Sequence, residues 1–412
     1  MSFFRNDAIN RVNLHSGVQA LAQGAGAIFF FVLMLKAGVS VPHALLAQAA
    51  IVTGRFALRP LMLPLAKRFG LKPLLITGTL MMALRFPLLA EVRGIDAALL
   101  GLLAVTAVAE LSYWLAYNTY FAMLGDDEHR GHQVAAREAF IAVLSIASPL
   151  LGTWALLTLG PRWAFAGIAV IQVLAVLPLL GLPNMAVLRE APGALRASRL
   201  AFGLLVVDGW FDACYFFVWE IALFLSLGES IAAYGGAMAL AGLVGACFGL
   251  WVGRHVDGGG GRRTVLIAYS VAAALVIARA GSLPTPWLAV AAHALGAVLM
   301  PLLLPPLGAA AYNLAKASPC PFRFHMATEG GWDIGCAGAC VTAAGLISLG
   351  APMSVPILMA LPAVAAGFAL LWGYFGKLGA ARFPSPVPLR VTGEEEESPE
   401  PPRSPRGNRG RG

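Results

Sequence analysis

The feature that most constrains the fold of this chain is a series of long and continuous apolar stretches. A helix that crosses the hydrocarbon core of a bilayer needs about 20 predominantly apolar residues. The apolar stretches of this chain are continuous, whereas the strands of a membrane β-barrel alternate apolar and polar residues. This pattern favours helices over a β-barrel. We therefore expect an all-α integral membrane protein with twelve transmembrane helices. The twelve stretches lie at residues 14–36, 43–66, 72–91, 95–124, 134–159, 162–183, 201–227, 231–253, 264–281, 286–315, 325–349 and 352–376.

The small number of charged residues supports a surface that faces lipid. Only 12% of the 412 residues are charged, whereas soluble globular domains carry about 25%. The net charge of +8 is explained by basic residues in the loops on one side of a membrane. We therefore expect a lipid bilayer around this chain and no nucleic acid as its partner.

Basic residues are concentrated in alternate predicted loops. The opposite loops contain only Lys36, Arg93, Arg162 and Arg279. Because cytoplasmic loops are enriched in Lys and Arg, we expect both termini in the cytoplasm, as an even number of spans requires. Arg greatly outnumbers Lys, which favours a GC-rich bacterial gene and the inner (cytoplasmic) membrane. The side with more basic residues, which we expect to be cytoplasmic, contains Arg5, Arg11, Lys67, Arg68, Lys72, Arg130, Arg189, Arg196, Arg199, Arg254, Arg262, Arg263, Lys316 and Arg323.

The spans divide the chain into two similar halves. Short segments recur at nearly constant distance, since His15 and Asp208 are 193 residues apart and Glu138 and Glu329 are 191 apart. Duplicated six-helix halves are typical of secondary transporters, which bind substrate near the membrane midplane between the repeats. A charged tail rich in Pro and Gly favours disorder. We expect an N-terminal bundle at 1–183, a cytoplasmic loop at 184–200, a C-terminal bundle at 201–376 and the disordered tail at 377–412.

The loop between the second and third spans carries a family pattern. It reads Leu65-Ala66-Lys67-Arg68-Phe69-Gly70-Leu71-Lys72. The Arg, the Gly and the last basic position match the pattern, while Lys67 stands at an acidic position. With twelve spans and duplicated halves, the chain resembles the major facilitator superfamily up to about residue 376. This resemblance implies two pseudo-symmetric six-helix bundles that alternate access to a central site.

Two further implications follow from the resemblance. The segment Ser148-Pro149-Leu150-Leu151-Gly152 of the fifth span is similar to a motif of the family's exporters, with Ser148 in place of Gly. Charged residues on the cytoplasmic side are expected to close a gate, although a helix dipole alone also favours acids at the starts of the fifth and eleventh spans. The expected gate residues are Lys67, Arg68, Gly70, Lys72, Arg130, Arg137, Glu138, Arg323, Glu329 and Asp333.

The seventh span carries three carboxylates, Asp208, Asp212 and Glu220, on one broad helical face. An ionised side chain at the bilayer centre costs at least about 2.5–3.5 kcal/mol, so such groups face a bundle interior or a wet cavity. Close carboxylates favour protonation of at least one of them. We expect Asp212 to couple transport to protons, with Asp208 or Glu220 as reserves. A structural ion pair of Asp208 with Arg199 or another basic residue of the loops is the alternative.

Polar and aromatic residues of the first half are candidates for the substrate cavity. The arginines among them either hold an anionic substrate or neutralise acids of the seventh or eleventh span. The aromatic face around Glu110 either binds a cationic solute or is a packing seam in which Glu110 pairs with Arg55 or Arg85. His293 of the tenth span is expected to be a satisfied core residue. The cavity candidates are His15, Gln19, Gln23, Arg55, Arg59, Arg85, Glu110, Tyr113, Trp114 and Tyr117.

These features favour a proton-coupled secondary active transporter that works as a monomer and exports a small amphipathic metabolite or drug-like compound. Two alternatives stay open: a proton-coupled importer of an organic anion, and a non-transporting membrane sensor or scaffold on the same fold. The sequence contains no nucleotide loop, zinc-protease motif or nucleophile elbow. Its five cysteines lack metal-ligand spacing. We therefore expect neither enzyme activity nor a metal or cofactor.

Overall fold

The structure, a computed structural model, describes residues 7–124, 130–188, 190–255, 261–316 and 318–380. In these ranges the chain is helical, and no strand occurs among them. Eleven described stretches are long and apolar enough to cross a membrane. The predicted all-α membrane fold is therefore confirmed for the described part of the chain.

The helices follow the predicted spans closely, and we number them α1 to α12 in chain order. Their bounds are α1 Asp7–Lys36, α2 Val41–Phe69, α3 Leu71–Glu91, α4 Ala97–Leu124, α5 130–159, α6 161–180, α7 Arg199–Ser226, α8 Ile231–His255, α9 Arg262–Ser282, α10 Pro286–Ala315, α11 Pro321–Ser348 and α12 Ser354–Lys377. A short helix, Ala194–Ala197, lies in the connection between α6 and α7.

Gly160 separates α5 from α6 inside one continuous apolar stretch, Ile141–Leu180. Its φ of 76° and ψ of 165° belong to a region that is essentially restricted to glycine. Ser148 packs against Gly24 of α1, and Ile168 packs against Gly26. A straight helix would hold residues 148 and 168 about 30 Å apart, so the chain reverses at Gly160. The eleven apolar stretches therefore contain twelve helices.

Close packing of α7 against α11 sets the geometry of the second half. The backbone of Val206 occupies the space that a Cβ on Gly335 would need. Small residues allow helix backbones to approach in this way inside a membrane. The approach brings Asp212 of α7 beside Trp332 of α11.

The helices α1 and α7 leave regular α geometry beside the cavity. In α1, Ala27–Phe29 forms a 3-10 turn, and in α7, Ala213–Val218 forms a π-helical stretch. Such interruptions are frequent at functional sites in helices. Ala27 and Ile28 line the large cavity described below, and the π-helical stretch connects two further residues of that cavity, Asp212 and Glu220.

The two halves of the chain meet along two helix pairs. The helix α2 packs against α11, and α5 packs against α8. In the second pair, Thr153 lies against Gly235 and Ser145 lies against Gly242. Between these two contact regions lies a cavity, and Arg55 of α2 and Glu329 of α11 line it.

Candidate functional site

A cavity of about 610 Å³ lies between the two halves. This volume is within the range of about 300–1,000 Å³ that small-molecule sites occupy. Its aromatic lining consists of Phe30, Phe31, Phe86, Trp114, Phe217 and Trp332. Its polar lining consists of Gln23, Gln48, Arg55, Arg85, Thr106, Glu110, Asn118, Asp212, Glu220 and Glu329.

Arg55 and Arg59, one turn apart on α2, both pair with Asp333 of α11. The Arg55 guanidinium lies 3.1 Å from one oxygen of Asp333, and Arg59 pairs with the other oxygen. Arg59 also lies 3.2 Å from Glu329. The Asp333 side chain is 0% exposed, so these charges are fully removed from solvent. The pairs connect the first half of the chain to the second.

Glu110 of α4 accepts hydrogen bonds from two arginines of the same half. Arg55 Nη1 donates to its Oε2 at 3.0 Å, and Arg85 Nη1 donates to its Oε1 at 3.4 Å. Arg85 also donates to the Oε1 of Gln23 on α1. Glu110 therefore pairs with both arginines that line the cavity.

These contacts form one continuous network in which three arginines alternate with three carboxylates. Its formal charges sum to zero. Removal of one member from such a buried network leaves its partners uncompensated, at a cost of about 3–5 kcal/mol. In order, the network runs Arg85, Glu110, Arg55, Asp333, Arg59 and Glu329, and it ends at the Asn118 amide, which donates to Glu329 at 3.0 Å.

Asp212 and Glu220 are the other two carboxylates that line the cavity. Trp332 Nε1 donates to Asp212 Oδ2 at 2.9 Å. Neither carboxylate forms an ion pair with a residue that the structure describes. The second half thus contributes negative charge to the cavity beyond the neutral network.

Asp208, one turn before Asp212, does not line the large cavity. It borders a separate small space of about 20 Å³ together with Phe211 and Tyr269, which is enough room for about one water molecule. No ion pair joins Asp208 to Arg199 in the described residues. The structure therefore brings together Asp212 and Glu220, and it places Asp208 toward the interior of the second half.

Four predicted cavity residues lie in a buried polar seam of the first half instead. His15 Nδ1 donates to the Ala175 carbonyl at 2.7 Å, and its Nε2 lies 3.2 Å from the Tyr113 hydroxyl. Tyr117 shares a 2.7 Å hydrogen bond with Ser16. Gln19 accepts a hydrogen bond from Gln172 of α6. These contacts satisfy the polar groups of α1, α4 and α6, whereas Trp114 of the same aromatic face does line the cavity.

Two of the predicted gate residues between α2 and α3, Gly70 and Lys72, contact the end of α6 and the connection after it. Lys72 Nζ donates to the carbonyls of Leu180 and Leu182 at 2.6 and 2.9 Å. Gly70 has a φ of 80° and packs against Asn184. Lys67 is exposed, and Arg68 stacks 5.2 Å from the Phe69 ring.

The remaining gate residues differ in how far the structure describes them. Arg323 Nη1 donates to the Ala191 carbonyl at 3.3 Å. The side chains of Arg130, Arg137 and Glu138 lie outside the described part of the structure. Glu329 and Asp333 lie within α11 rather than in a loop, where Glu329 lines the cavity and Asp333 pairs with Arg55 of the lining.

The placement of Arg279 in a loop was wrong. It belongs to α9 and is 2% exposed, and its position inside the predicted stretch 264–281 is the signal that was available. Gln48 and Trp332 also line the cavity and were not among the candidates. The proximity of Trp332 to Glu329 and Asp333 in the sequence was the available signal for that residue.

Comparisons with known proteins identify the family. The family model of the Major Facilitator Superfamily matches residues 16–319. The crystal structure of the human organic anion transporter MFSD10 (TETRAN) has a TM-score of 0.65 at 15% identity, and the match covers 89% of this chain and 99% of that chain. The structure of the E. coli fucose:proton symporter FucP has a TM-score of 0.61 at 16% identity, with 90% and 98% covered. No curated protein matches the chain significantly.

At these identities the solved structures demonstrate a shared fold, and the family model adds the sequence relationship. The helical membrane fold of the described residues agrees with both comparisons. The chain therefore belongs to the Major Facilitator Superfamily, and it is a multi-pass membrane protein with the fold of these transporters.

Proposed function

We propose that this protein is a proton-coupled antiporter of the cytoplasmic membrane that exports an amphipathic, cationic compound. The observation that carries this proposal is the position of Asp212 and Glu220 in the cavity, where no described base pairs with them. Both termini are proposed to lie in the cytoplasm, because the basic loops belong to that side.

The charge balance of the cavity favours a cation over an anion. Arg55 and Arg85 are the arginines of its lining, and both already bind Glu110. An anionic substrate would compete with Glu110 for them. Asp212 and Glu220 leave an excess of negative charge, which a proton or a positively charged solute neutralises.

A proton and a cationic solute compete for these carboxylates, and this competition exchanges one for the other across the membrane. A carboxylate oxygen that holds a proton no longer attracts a cation, so a proton and a cationic solute exclude each other at the same group. Binding of the solute on the cytoplasmic side then releases a proton, and the inward proton gradient reloads the carboxylate from the other side. The two ligands are linked by thermodynamic reciprocity.

The aromatic lining fits the apolar part of such a compound. Trp114, Phe217 and Trp332 line the cavity, and a desolvated cation over an aromatic face gains up to about 2 kcal/mol. Ring surface and carboxylates together recognise a positive charge attached to an apolar body.

Alternating access is proposed to involve the halves 1–183 and 201–376 as moving units. Arg59 contacts Asp333 and Glu329 across the halves, and Asn118 also contacts Glu329. The cavity opens between α2 and α11 only when these contacts break. Arg55 contacts both Glu110 in the cavity and Asp333 in this closure, so it connects the occupancy of the cavity with the gate.

A second candidate is the proton-coupled import of an organic anion. It is favoured by one observation, the sharing of Glu110 by Arg55 and Arg85. A proton on Glu110 would release both guanidinium groups toward an anion, which would move together with the proton. The two solved structures named above include an organic anion transporter and a proton symporter, and their fold accommodates either mode.

The two candidates differ in proteoliposomes with an imposed pH gradient that a pH-sensitive dye reports. Tetraphenylphosphonium is the cationic probe and benzoate is the anionic probe, with protein-free liposomes as the measure of leak. We expect tetraphenylphosphonium to discharge the gradient with the wild type and with Glu229→Gln, an exposed carboxylate outside the cavity. Asp212→Asn is expected to abolish this discharge.

Other outcomes assign the alternatives. Benzoate-driven proton movement that Glu110→Gln abolishes would establish import of an anion. Absence of proton movement with either probe, and with further pooled metabolites, would favour the non-transporting sensor or scaffold.

A further inference from the structure

Arg279 is a buried cation of α9 that the transport scheme above does not use. Its guanidinium lies 3.7 Å from the Tyr215 ring centre and 4.9 Å from that of Trp219. Its Nη1 donates to the Tyr215 carbonyl at 2.5 Å. No described carboxylate lies within ion-pair distance of it. Since a buried charge is costly unless it is compensated, the position of Arg279 calls for a compensating group nearby.

The partner of its hydrogen bond belongs to the π-helical stretch Ala213–Val218 of α7. A π-helix directs its carbonyls to the residue five positions later, and the wider turn leaves carbonyls available to other donors. Arg279 satisfies one of them from α9. The stretch stands between Asp212 and Glu220, and its wider turn changes the angle between their side chains around the helix axis. Both side chains face the cavity.

Glu220 directly follows Trp219, whose ring centre lies 4.9 Å from the Arg279 guanidinium, and Glu220 lines the cavity. The neighbouring polar groups of this region are hydrogen-bonded. Trp219 Nε1 donates to His293 Nδ1 at 3.0 Å, as expected for a satisfied core histidine. Tyr234 of α8 donates to the Ile28 carbonyl at 3.2 Å. Arg279 and Glu220 are therefore the complementary charges of this region, with the cavity on the side of Glu220.

We propose that Arg279 is a positioning residue for Glu220. It stabilises the π-helical stretch that turns Glu220 into the cavity, and it balances the charge of Glu220 from behind when the cavity holds no cation. This inference rests on the proposed function, because it concerns a carboxylate of the same cavity. It also makes the two carboxylates unequal: a cation competes with Arg279 for Glu220, whereas Asp212 has only the neutral Trp332 as a partner.

A double-mutant cycle on the purified full-length protein in detergent tests the pairing. The melting temperature is measured for the wild type, Glu220→Gln, Arg279→Gln and the double variant. We expect Glu220→Gln to lower the melting temperature by about 3 °C or more in the wild type, because it leaves Arg279 uncompensated. The same substitution is expected to have no effect in the Arg279→Gln background. The matched control replaces Glu220→Gln by Asp212→Asn, whose effect is expected to be equal in both backgrounds.

Arg279→Lys separates charge from packing. It keeps the positive charge and removes the planar stacking on Tyr215 and Trp219. We expect the loss caused by Glu220→Gln to persist in this background. The proposal would be overturned if Glu220→Gln lowered the melting temperature equally in the wild-type and Arg279→Gln backgrounds. It would also be overturned if Glu220→Gln had the same effect on the melting temperature in the Arg279→Lys and Arg279→Gln backgrounds.

The liposome experiment distinguishes this inference from the proposed function. If tetraphenylphosphonium is transported but Glu220→Gln and Arg279→Gln have additive effects on the melting temperature, the role of Arg279 is overturned and the antiporter proposal stands. If the two substitutions have non-additive effects on the melting temperature but no proton movement occurs in proteoliposomes, the pairing of Arg279 with Glu220 is supported and the antiporter proposal is wrong.

Discussion

Arg59 of α2 and Asp333 of α11 form a buried ion pair that joins the two halves of the protein. Asp333 also pairs with Arg55 at 3.1 Å, so one carboxylate holds two arginines of the opposite half. The other end of the interface is different. There Lys36 and Glu229 lie 3.4 Å apart and are both exposed, and exposed pairs of this kind contribute about 0–1 kcal/mol. The buried ion pairs between the two halves are therefore those between α2 and α11.

Substitution Asp333→Asn is expected to destabilise the protein strongly. It leaves Arg55 and Arg59 without their shared carboxylate, and the loss of one partner from a buried ion pair costs about 3–5 kcal/mol. The measurement is thermal unfolding in detergent, with Glu229→Gln as the control that changes an exposed carboxylate. Equal melting temperatures for Asp333→Asn and the control would contradict a structural role for the network.

Substitution Asp212→Asn is expected to prevent the exchange of protons for a cation while the fold is retained. The Asn amide oxygen still accepts from Trp332, so the local hydrogen bond is kept. Loss of a charged partner corresponds to about 1.5–3 kcal/mol, or about tenfold or more in affinity for tetraphenylphosphonium. The measurement is proton release on addition of this cation to weakly buffered, purified protein. Unchanged release by the variant would exclude Asp212 as the coupling group.

Substitution Gly160→Ala is expected to lower the melting temperature by a few degrees. The backbone at Gly160 has a φ of 76°, and a side chain in this region costs about 1–3 kcal/mol. Gly101 in the interior of α4 is the matched control, because both positions have open space for a Cβ. Gly101→Ala is expected to leave stability unchanged or raise it, since Ala is the better helix former by about 1 kcal/mol. A similar response of both variants would contradict the strained turn.

Asp96, in the loop before α4, is expected to make stability depend on pH. Its carboxylate accepts hydrogen bonds from the amides of Leu99 and Arg93 at 2.8 and 3.1 Å. These bonds hold the pKa of Asp96 below its usual value. A lowered folded-state pKa means that its contribution is present above the unfolded pKa of about 4 and is lost as pH falls through the folded value.

The measurement for Asp96 is the melting temperature as a function of pH for the wild type and Asp96→Ala. We expect the wild type to melt higher at neutral pH, with a difference that shrinks below about pH 4. Asp96→Asn, which keeps an oxygen acceptor at the helix start, is expected to melt between the two. A difference that is constant over the whole pH range would exclude the ionised carboxylate as its cause.

Much of the architecture could be predicted from local patterns. The helices match the predicted apolar stretches closely, because a span is defined by the length of its own apolar run. The separation of α5 and α6 was also predictable, since Gly160 and Pro161 are adjacent there. The pairing of Glu110 with Arg55 and Arg85 had been named as one of two alternatives, and the structure contains it.

The candidate site was only partly predictable. Helical periodicity placed His15 and Gln19 on the face of Gln23, yet the first two are covered by α6 and only Gln23 reaches the cavity. Periodicity states which residues share a helix face, but the neighbouring helix decides whether that face is filled. No sequence pattern indicated the π-helical stretch of α7 between Asp212 and Glu220, nor that these two residues line the cavity whereas Asp208 does not.

The amino-acid sequence alone determined that this chain is helical and lies in a membrane, because hydrophobic length and backbone hydrogen bonding are local properties of a segment. Only the tertiary structure decided which charges compensate one another. Arg59 and Asp333 are 274 residues apart in the chain, and electrostatic energy in a region without water depends on distances of a few ångströms between side chains. Those distances arise from the packing of whole helices, so the ion pairs of Arg55 and Arg59 with Asp333 exist only in the folded protein.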